Sequence, residues 1–329
     1  MTFYKNRLKA PCSKQRQQGV ALITALLIAA LVTVTAVAMA ARQQLDIRRT
    51  GNMLEADQAY MYALAAEALA MQVLKLDKQK TDIDTLDEIW SQKLPPTIIE
   101  GGMISGSIED MQGRFNLNNL IDAKNEPDKD QVKILQRILA QVSLAEKDVE
   151  LSPFVANRVA DWIDPDLNSL ADGAEDLNYL SLDVPYRAAN RPMVSPSELA
   201  AVDGLTLTDV EALKLFVTTL PQGATATQVN VNTAPDMVLM SLHEDITPGI
   251  VDELVEFRID TPFEKADEIV KKLKDDYEIV LDPKLVTVSS DYFLITSDAA
   301  IGRTTLRMYS LLARTGDDIN VVRRGIGSY

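Results

Sequence analysis

Cysteine, histidine and aromatic residues are scarce in this chain of 329 residues. It has one cysteine, Cys12, and one histidine, His243, and aromatic residues make up 5% of it. A lone cysteine forms no disulfide within the chain, so the fold depends on its apolar core. A single histidine excludes histidine-rich zinc sites and most catalytic triads. No GxSxG elbow, P-loop or HExxH motif occurs, and we therefore predict that the protein is not an enzyme.

Basic residues are outnumbered by acidic ones. The chain has 33 Lys and Arg against 48 Asp and Glu, which gives a formal net charge of −15. Such a charge argues against nucleic acid and anionic lipid surfaces as partners, and it makes divalent cations plausible ligands. At this length, the chain can form one large domain or two ordinary ones.

The N-terminus contains a long uncharged apolar run. Val20 to Ala41 covers 22 residues, or about 33 Å of helix, which matches the apolar thickness of a bilayer. The run follows a leader, residues 1–19, that has no acid but five basic residues: Lys5, Arg7, Lys9, Lys14 and Arg16. This asymmetry predicts a single-pass segment over 20–41 with a cytoplasmic N-terminus, and everything after Ala41 outside. Removal of the leader would change the net charge from −15 to −20.

A small residue, Gly19, stands before the apolar run, whereas a secretory signal has its small-residue cleavage site after a shorter run. This order resembles the class III signal of type IV pilins and type II secretion pseudopilins. The resemblance implies that a prepilin peptidase cleaves between Gly19 and Val20 and methylates Val20. An uncleaved membrane anchor is the alternative.

Thr24 departs from the usual pilin pattern, because most pilin-like proteins carry glutamate at this fifth position after the cut. The resemblance implies that the glutamate pairs with the free amine of the subunit above it in the filament. An unpaired acid in lipid costs about 2.5 to 3.5 kcal/mol on insertion scales. Threonine therefore suits a subunit that has no neighbour above it, because its hydroxyl can form a hydrogen bond with the backbone of its own helix. A merely tolerated polar residue is the other interpretation.

The pattern beyond the membrane predicts an α+β protein, and the resemblance to pilins implies that it has the type IV pilin-like fold. We expect a periplasmic helix over 42–79, with alanines at steps of three and four from Ala56 to Ala70 facing an antiparallel sheet. Alternating residues and glycines then predict the first part of the sheet over 80–120. A polar block over 121–227 is too long for a loop and predicts an inserted all-α domain. The rest, 228–329, is expected to complete the sheet, with a helical hairpin at 233–275.

Five segments, in this order, carry a more specific resemblance. They are DMQGRFNLNNL from Asp110, ADWIDPD from Ala160, GAEDLNY from Gly173, PYRAANRPMVSPSEL from Pro185 and VNVNTAP from Val229. Together with the leader, they resemble the K-type minor pseudopilin family (GspK) of the type II secretion system over nearly the whole processed chain. Members of that family also lack the glutamate that Thr24 replaces.

This resemblance implies a place in a Gram-negative inner membrane, with the bulk of the chain in the periplasm. It also implies a tip complex with the I-type and J-type minor pseudopilins. That complex would initiate the pseudopilus and limit its length during export of folded exoproteins across the outer membrane. Further implied partners are the major pseudopilin filament, the prepilin peptidase and the inner-membrane assembly platform. Two calcium ions are implied in the helical domain.

An acidic segment in the helical block independently predicts a calcium site. The run DPDLNSLADGAE follows the EF-hand order of oxygen ligands, in which short acidic side chains two residues apart surround a hard cation. The candidate ligands at positions 1, 3, 5, 7, 9 and 12 are Asp164, Asp166, Asn168, the carbonyl of Leu170, Asp172 and Glu175. Asp161 and Asp176 are candidates for shared or second-site ligands.

Two features of this segment depart from the EF-hand pattern. Position 6 is Ser169 instead of glycine, and Pro165 restrains position 2. The span 161–183 nevertheless holds seven acids and no lysine or arginine, so repulsion favours a bound cation. A solvated acidic loop is the alternative.

Two other functions compete with secretion. The segments SELAAVDGLTLTDVEALKLF and VNVNTAPDMVLM with LVEFRIDTPFEKADEI resemble helix-hairpin-helix modules of competence-type DNA-uptake proteins. Their turns carry acids where such modules bind phosphate through backbone amides, which argues against nucleic acid. An inert membrane-anchored scaffold would retain the anchor without processing of the leader.

Overall fold

The computed structural model describes residues 18–316 and 318–327, so the basic residues of the leader lie outside the described part. The helices are α1 (Gln18–Lys78), α2 (Lys129–Ala145), α3 (Val155–Ile163), α4 (Asp176–Leu180), α5 (Leu207–Leu213), α6 (Asp236–Ser241), α7 (Pro248–Asp260) and α8 (Ala266–Tyr277). The strands are β1 (Leu94–Ile99), β2 (Gly102–Asp110), β3 (Phe115–Asn116), β4 (Val217–Thr218), β5 (Val229–Asn230), β6 (Val286–Thr287), β7 (Tyr292–Ile301), β8 (Thr304–Thr315) and β9 (Asp318–Ile326).

The chain divides into two compact units, Met1–Glu55 and Ala56–Tyr329. The described part of the first unit is the beginning of α1. Among the described residues, α1 is the one helix apolar and long enough to cross a membrane. Its apolar side chains between Val20 and Met39 are exposed, as expected of a segment whose natural solvent is lipid.

The second unit contains a five-stranded antiparallel sheet in the order β1-β2-β7-β8-β9. The alternating residues from Met103 to Asp110 lie in β2, as the period of two predicted. β1 turns into β2 through Gly101, whose φ of 84° suits glycine. The structure thus confirms the antiparallel sheet that the sequence patterns predicted.

The part of α1 after Glu55 packs on this sheet through small side chains. Ala59 and Ala63 are fully buried, and Ala70 is 7% exposed. Ala70 lies in one apolar cluster with Phe293 and Ile295 of β7. The predicted alanine stripe is therefore the helix face against the sheet, where side chains without bulk let the two backbones approach closely.

Everything between β2 and β7 is helical or irregular apart from short two-stranded pairs. Buried side chains of α2, α3 and α5 form a first apolar core, and those of α6, α7 and α8 form a second one. The sequence expectation placed the return to the sheet at residue 228, but the structure places it at Tyr292, and this boundary is corrected. The strand pattern at 229 is real but only two residues long: β5 pairs in parallel with β6 instead of joining the main sheet.

Buried asparagines connect the cores and explain two of the family-like segments. Asn118 Nδ2 donates to the carbonyls of Met193 and Leu220 at 2.9 and 2.8 Å. Asn230 Nδ2 donates to Asp110 Oδ2 at 3.0 Å and thereby ties β5 to the end of the main sheet. Because a buried amide without partners is costly, these bonds specify how the helical cores attach.

Candidate functional site

Three buried carboxylates converge at the end of α3. Asp161 lies in the last turns of that helix, Asp164 follows its last residue, and Glu175 precedes α4. They are 0%, 1% and 4% exposed. One carboxylate oxygen from each lies within 4.8 Å of one from both others. We call these three residues the α3 cluster.

The loop between α3 and α4 folds back onto Asp161. The backbone N–H of Leu170 donates to both carboxylate oxygens of Asp161 at 3.2 Å, and Ser169 Oγ donates to Oδ2 at 3.2 Å. Gly173 passes so close that a Cβ there would lie 1.9 Å from Asp161 Oδ2. A residue without a side chain is therefore required at position 173 for the loop to close.

Several oxygens of the α3 cluster have no partner within the described part of the protein. Asp164 Oδ1 and both carboxylate oxygens of Glu175 are buried and accept no hydrogen bond. Leaving a buried charged acceptor unsatisfied costs about 1–3 kcal/mol or more. Because buried polar groups without a partner are rare in native proteins, the unsatisfied oxygens make the α3 cluster a candidate ligand site.

The electrostatics of the α3 cluster favour positive charge beside its carboxylates. Burial has the largest effect on Asp164 and repulsion from Asp166 and Asp161 adds to it, so that the pKa of Asp164 is raised to about 7. Burial also has the largest effect on Glu175, and together with repulsion from Asp164 and Asp161 it raises the pKa of Glu175 to about 7. Burial also raises the pKa of Asp161. A cation among the three would relieve this repulsion and displace the protons.

Calcium fits the chemistry of this site. All three donors are hard carboxylate oxygens, which Ca²⁺ prefers at about 2.3–2.6 Å. Ligands on opposite sides of one such ion lie about 4.6–5.2 Å apart, comparable with the 4.8 Å that bounds the three oxygens here. The carboxylates would supply part of a shell of six to eight oxygens, with backbone carbonyls and water completing it.

The other predicted ligands lie outside this buried cluster. Asp166, Asn168 and Asp172 are exposed, and Asp166 Oδ1 accepts the backbone N–H of Asn168 at 2.6 Å. Leu170 contributes its N–H to Asp161.

Asp176, the proposed second-site ligand, has other partners. It pairs with Arg187 Nη1 at 2.9 Å and accepts the N–H of Ala188 at 3.1 Å. Sequence reasoning also assigned no role to Gly173, although its place beside Glu175 in an acidic loop was the available signal. The structure thus brings together the first and last positions of the predicted loop with Asp161.

The predicted processing site begins the described part of α1. Gly19 and Val20 are helical and exposed. Thr24 Oγ1 donates to the carbonyl of Ala21 at 3.0 Å. The Thr24 hydroxyl therefore has a hydrogen-bond partner within its own helix, as the sequence predicted for a residue that has no partner in a neighbouring subunit.

A long N-terminal apolar helix, an antiparallel sheet and a large helical insertion define a pilin-like protein. Two family models match it, both described as type II secretion system protein K, over residues 113–222 and 229–274. The first of these matches contains the whole α3 cluster.

Whole-chain relatives agree with the family models. The type II secretion system protein K of Pseudomonas aeruginosa is 37% identical, over 95% of this chain and 94% of the relative. That of Aeromonas hydrophila is 31% identical, over 95% of this chain and 97% of the relative. The chain belongs to the type II secretion system protein K family and is a minor pseudopilin.

A solved structure matches as well. It is the crystal structure of the GspK-GspI-GspJ complex from the type 2 secretion system of enterotoxigenic Escherichia coli. The TM-score is 0.72 at 26% identity, and the match covers 85% of this chain and all of the other. The fold class inferred from the sequence is therefore confirmed.

Proposed function

We propose that this protein caps the pseudopilus tip together with the I-type and J-type minor pseudopilins, where it initiates assembly and limits length. The single observation that carries the proposal is the structural likeness to GspK in its complex with GspI and GspJ. The exported cargo would be folded exoproteins that cross the outer membrane.

The size of the insertion supports a terminal position. The sheet is interrupted between Asp110 and Tyr292, and two separate apolar cores fill that interval. A subunit inside a helical filament must fit between neighbours above and below it. A subunit at the end has no neighbour on one side, so it tolerates a wide head.

The α3 cluster is proposed to hold calcium, and its role would be structural. Asp161 and Asp164 belong to the end of α3, and Glu175 belongs to the start of α4. A bound ion would supply positive charge that links these two ends across the acidic loop. The Leu170 N–H and Ser169 hydroxyl orient Asp161, and Gly173 leaves it room. One ion is carried by these residues, while the expectation of a second ion in the helical domain stays a prediction.

The anchor is proposed to lie in the inner membrane with the N-terminus in the cytoplasm and the bulk in the periplasm. The apolar part of α1 supports a membrane anchor, and the basic leader supports the orientation. Assembly would then require the prepilin peptidase, the inner-membrane platform and the major pseudopilin filament as partners.

Processing provides the first test. In cells that contain the prepilin peptidase, we expect the mature protein to begin at an N-methylated Val20; in cells without it, the leader should remain. Intact mass and N-terminal sequencing distinguish the two forms. A start at Met1 in both strains would contradict the processing and favour an anchored scaffold.

Position at the tip is tested through Thr24. We expect Thr24→Glu to place an acid without a partner amine in lipid, at about 2.5 to 3.5 kcal/mol, and so to reduce extraction of the tip complex. Pseudopili should become fewer and longer, measured by electron microscopy and by co-purification of the I-type and J-type proteins.

The matched control for this test is Thr24→Val, which removes the hydroxyl without adding charge and should leave both pilus number and pilus length near the wild type. If Thr24→Glu behaves like Thr24→Val, the residue is only tolerated and the argument from charge fails.

Nucleic acid is not a proposed partner. The hairpin of α6 and α7 encloses the acidic segment HEDITPG, and the processed chain would carry a net charge of −20. Salt-dependent filter binding to duplex DNA is the result that would support the DNA-uptake alternative.

A further inference from the structure

A second group of carboxylates lies in the second unit, where α1 ends. Asp77 is in the last turn of that helix, and Asp84 and Glu88 follow in the loop toward β1. One carboxylate oxygen from each lies within 4.8 Å of one from both others. We call these three residues the α1-end cluster.

The position of Asp84 is tightly determined. Its side chain is 1% exposed, and its Oδ2 accepts Arg314 Nη2 at 2.5 Å and the N–H of Ser290 at 2.7 Å. Its own N–H donates to Val288 O at 2.9 Å. The carboxylate is therefore held rigidly and cannot turn toward water.

Two oxygens of the α1-end cluster have no partner despite this packing. Asp84 Oδ1 and Asp77 Oδ2 are both buried and accept no hydrogen bond within the described residues. Glu88 is anchored through Oε2, which accepts Trp90 Nε1 at 2.7 Å and the N–H of Thr85 at 3.0 Å. The unsatisfied oxygens are an observation independent of the acidity of the group, and they indicate a ligand.

Nearby positive charge does not balance the three acids. Arg314 and Lys80 bring two charges against the three acids. Arg314 is already bound to Asp84 Oδ2 and Ser290 O, and it stacks over the ring of Phe293 at 4.8 Å. Burial, followed by repulsion from Glu88 and Asp84, raises the pKa of Asp77 to about 6. The end of α1 adds the negative pole of the helix dipole, which favours a cation.

We propose that the α1-end cluster binds a divalent metal cation, with calcium the best fit to its all-carboxylate donors. The ion would tie the end of α1 to the loop before β1 and, through Asp84, to Ser290 and Arg314 near the sheet. This site is separate from the α3 cluster, and it does not depend on the proposed role at the tip.

The two tryptophans of the chain allow the two sites to be observed separately. Trp90 donates to Glu88 in the α1-end cluster, and Trp162 is adjacent in sequence to Asp161 in the α3 cluster. Tb³⁺ occupies calcium sites, and a nearby excited tryptophan sensitises its luminescence. The variant Trp162→Phe leaves Trp90 as the only tryptophan. Since Trp162 Nε1 has no hydrogen-bond partner, this change costs no hydrogen bond.

The test uses the full-length protein in detergent, freed of metal with EDTA, in the Trp162→Phe background. Tb³⁺ is titrated with excitation where tyrosine does not absorb, and Ca²⁺ is then added as competitor. We expect saturable luminescence that Ca²⁺ reverses, that persists in Asp164→Asn, and whose affinity falls at least about tenfold in Asp77→Asn. Glu88→Gln should weaken it similarly.

Asp82→Asn is the matched control, since the Asp82 side chain is 95% exposed and its ion pair among the described residues is with Lys78 at 3.1 Å. It should keep Tb³⁺ affinity within about twofold. Circular dichroism confirms that each variant is folded, and Glu88→Gln replaces Asp77→Asn if the latter is not. Absence of the Trp90 signal, its loss in Asp164→Asn, or equal affinities in Asp77→Asn and Asp82→Asn would each overturn the proposal.

Discussion

Removal of calcium is expected to loosen the helical insert while the sheet stays folded. If calcium is present at about 100 times its Kd, the α3 cluster contributes about 2.7 kcal/mol that EDTA abolishes. Asp164→Asn should remove most of the same contribution, because it takes away a buried ligand with an unsatisfied oxygen. Thermal melting with excess calcium and with EDTA measures the difference.

Two tryptophan variants separate the insert from the sheet in this experiment. Trp162 packs edge-on against Tyr179 in the first helical core, and Trp90 packs edge-on against Phe293 in the sheet. We expect EDTA to shift the transition reported by Trp162 in Trp90→Phe, and Asp164→Asn to abolish that shift, whereas Asp164→Asn should leave the EDTA response of Trp90 in Trp162→Phe unchanged. Asp183→Asn, at an exposed position of the same acidic segment, is the control. A melting curve unaffected by EDTA would contradict calcium stabilisation.

The pH dependence of this effect follows from the raised pKa values. Asp164 and Glu175 have folded-state pKa values of about 7, above their unfolded values of about 4. In the metal-free protein, their protonation stabilises the fold fully below about pH 4, and this contribution is lost as pH rises through 7. Calcium replaces those protons. The stabilisation by calcium should therefore be small near pH 5 and largest above about pH 7.

Gly173→Ala is expected to abolish the stabilisation of the helical insert by calcium without removing any ligand. The new Cβ would lie 1.9 Å from Asp161 Oδ2, so Asp161 or the loop must move away from Asp164 and Glu175. Calorimetric calcium affinity should fall at least about tenfold. The EDTA-dependent shift of the transition that Trp162 reports in Trp90→Phe should disappear with it.

Gly249→Ala provides the matched control for that variant. Gly249 lies in α7, and a Cβ there meets no atom within 4 Å, so calcium affinity should be unchanged. Wild-type affinity in Gly173→Ala would show that position 173 does not determine the geometry of Asp161, and the proposed site would then need another set of ligands.

Local patterns predicted the elements of the fold that depend on neighbouring residues. The uncharged run after Gly19 predicted the helix, and the alternation from Met103 to Asp110 predicted a strand of the sheet. The alanines from Ala56 to Ala70 predicted the packed helix face. Each of these signals repeats every two or every 3.6 residues, so it is visible without knowledge of the fold.

The position where the sheet resumes was not visible in this way. The residues after Val229 have a strand pattern and pair as β5, but their partner is Val286–Thr287 and not the main sheet. A two-residue strand has the same local signature whichever sheet it joins. The main sheet resumes only at Tyr292, because the residues between β5 and β7 form a second apolar core around α6, α7 and α8.

The candidate metal sites divide in the same manner between sequence and tertiary structure. The spacing of the acidic loop predicted Asp164 and Glu175 as calcium ligands. It predicted Asp166, Asn168 and Asp172 as well, and these three are exposed in the structure. Which carboxylates lose their water depends on packing against the core, and no spacing rule contains that information.

The sequence by itself determined a membrane-anchored, acidic, pilin-like protein of the K family, because apolar length, charge and motif order are properties of the linear chain. Tertiary structure decided which acids come together. Asp161 meets Glu175 only because the loop closes over Gly173, and Asp84 meets Arg314 only because strand β8 returns beside the end of α1. Contacts between residues far apart in sequence arise from burial of the shared core, and burial is also what makes an unpaired carboxylate oxygen costly.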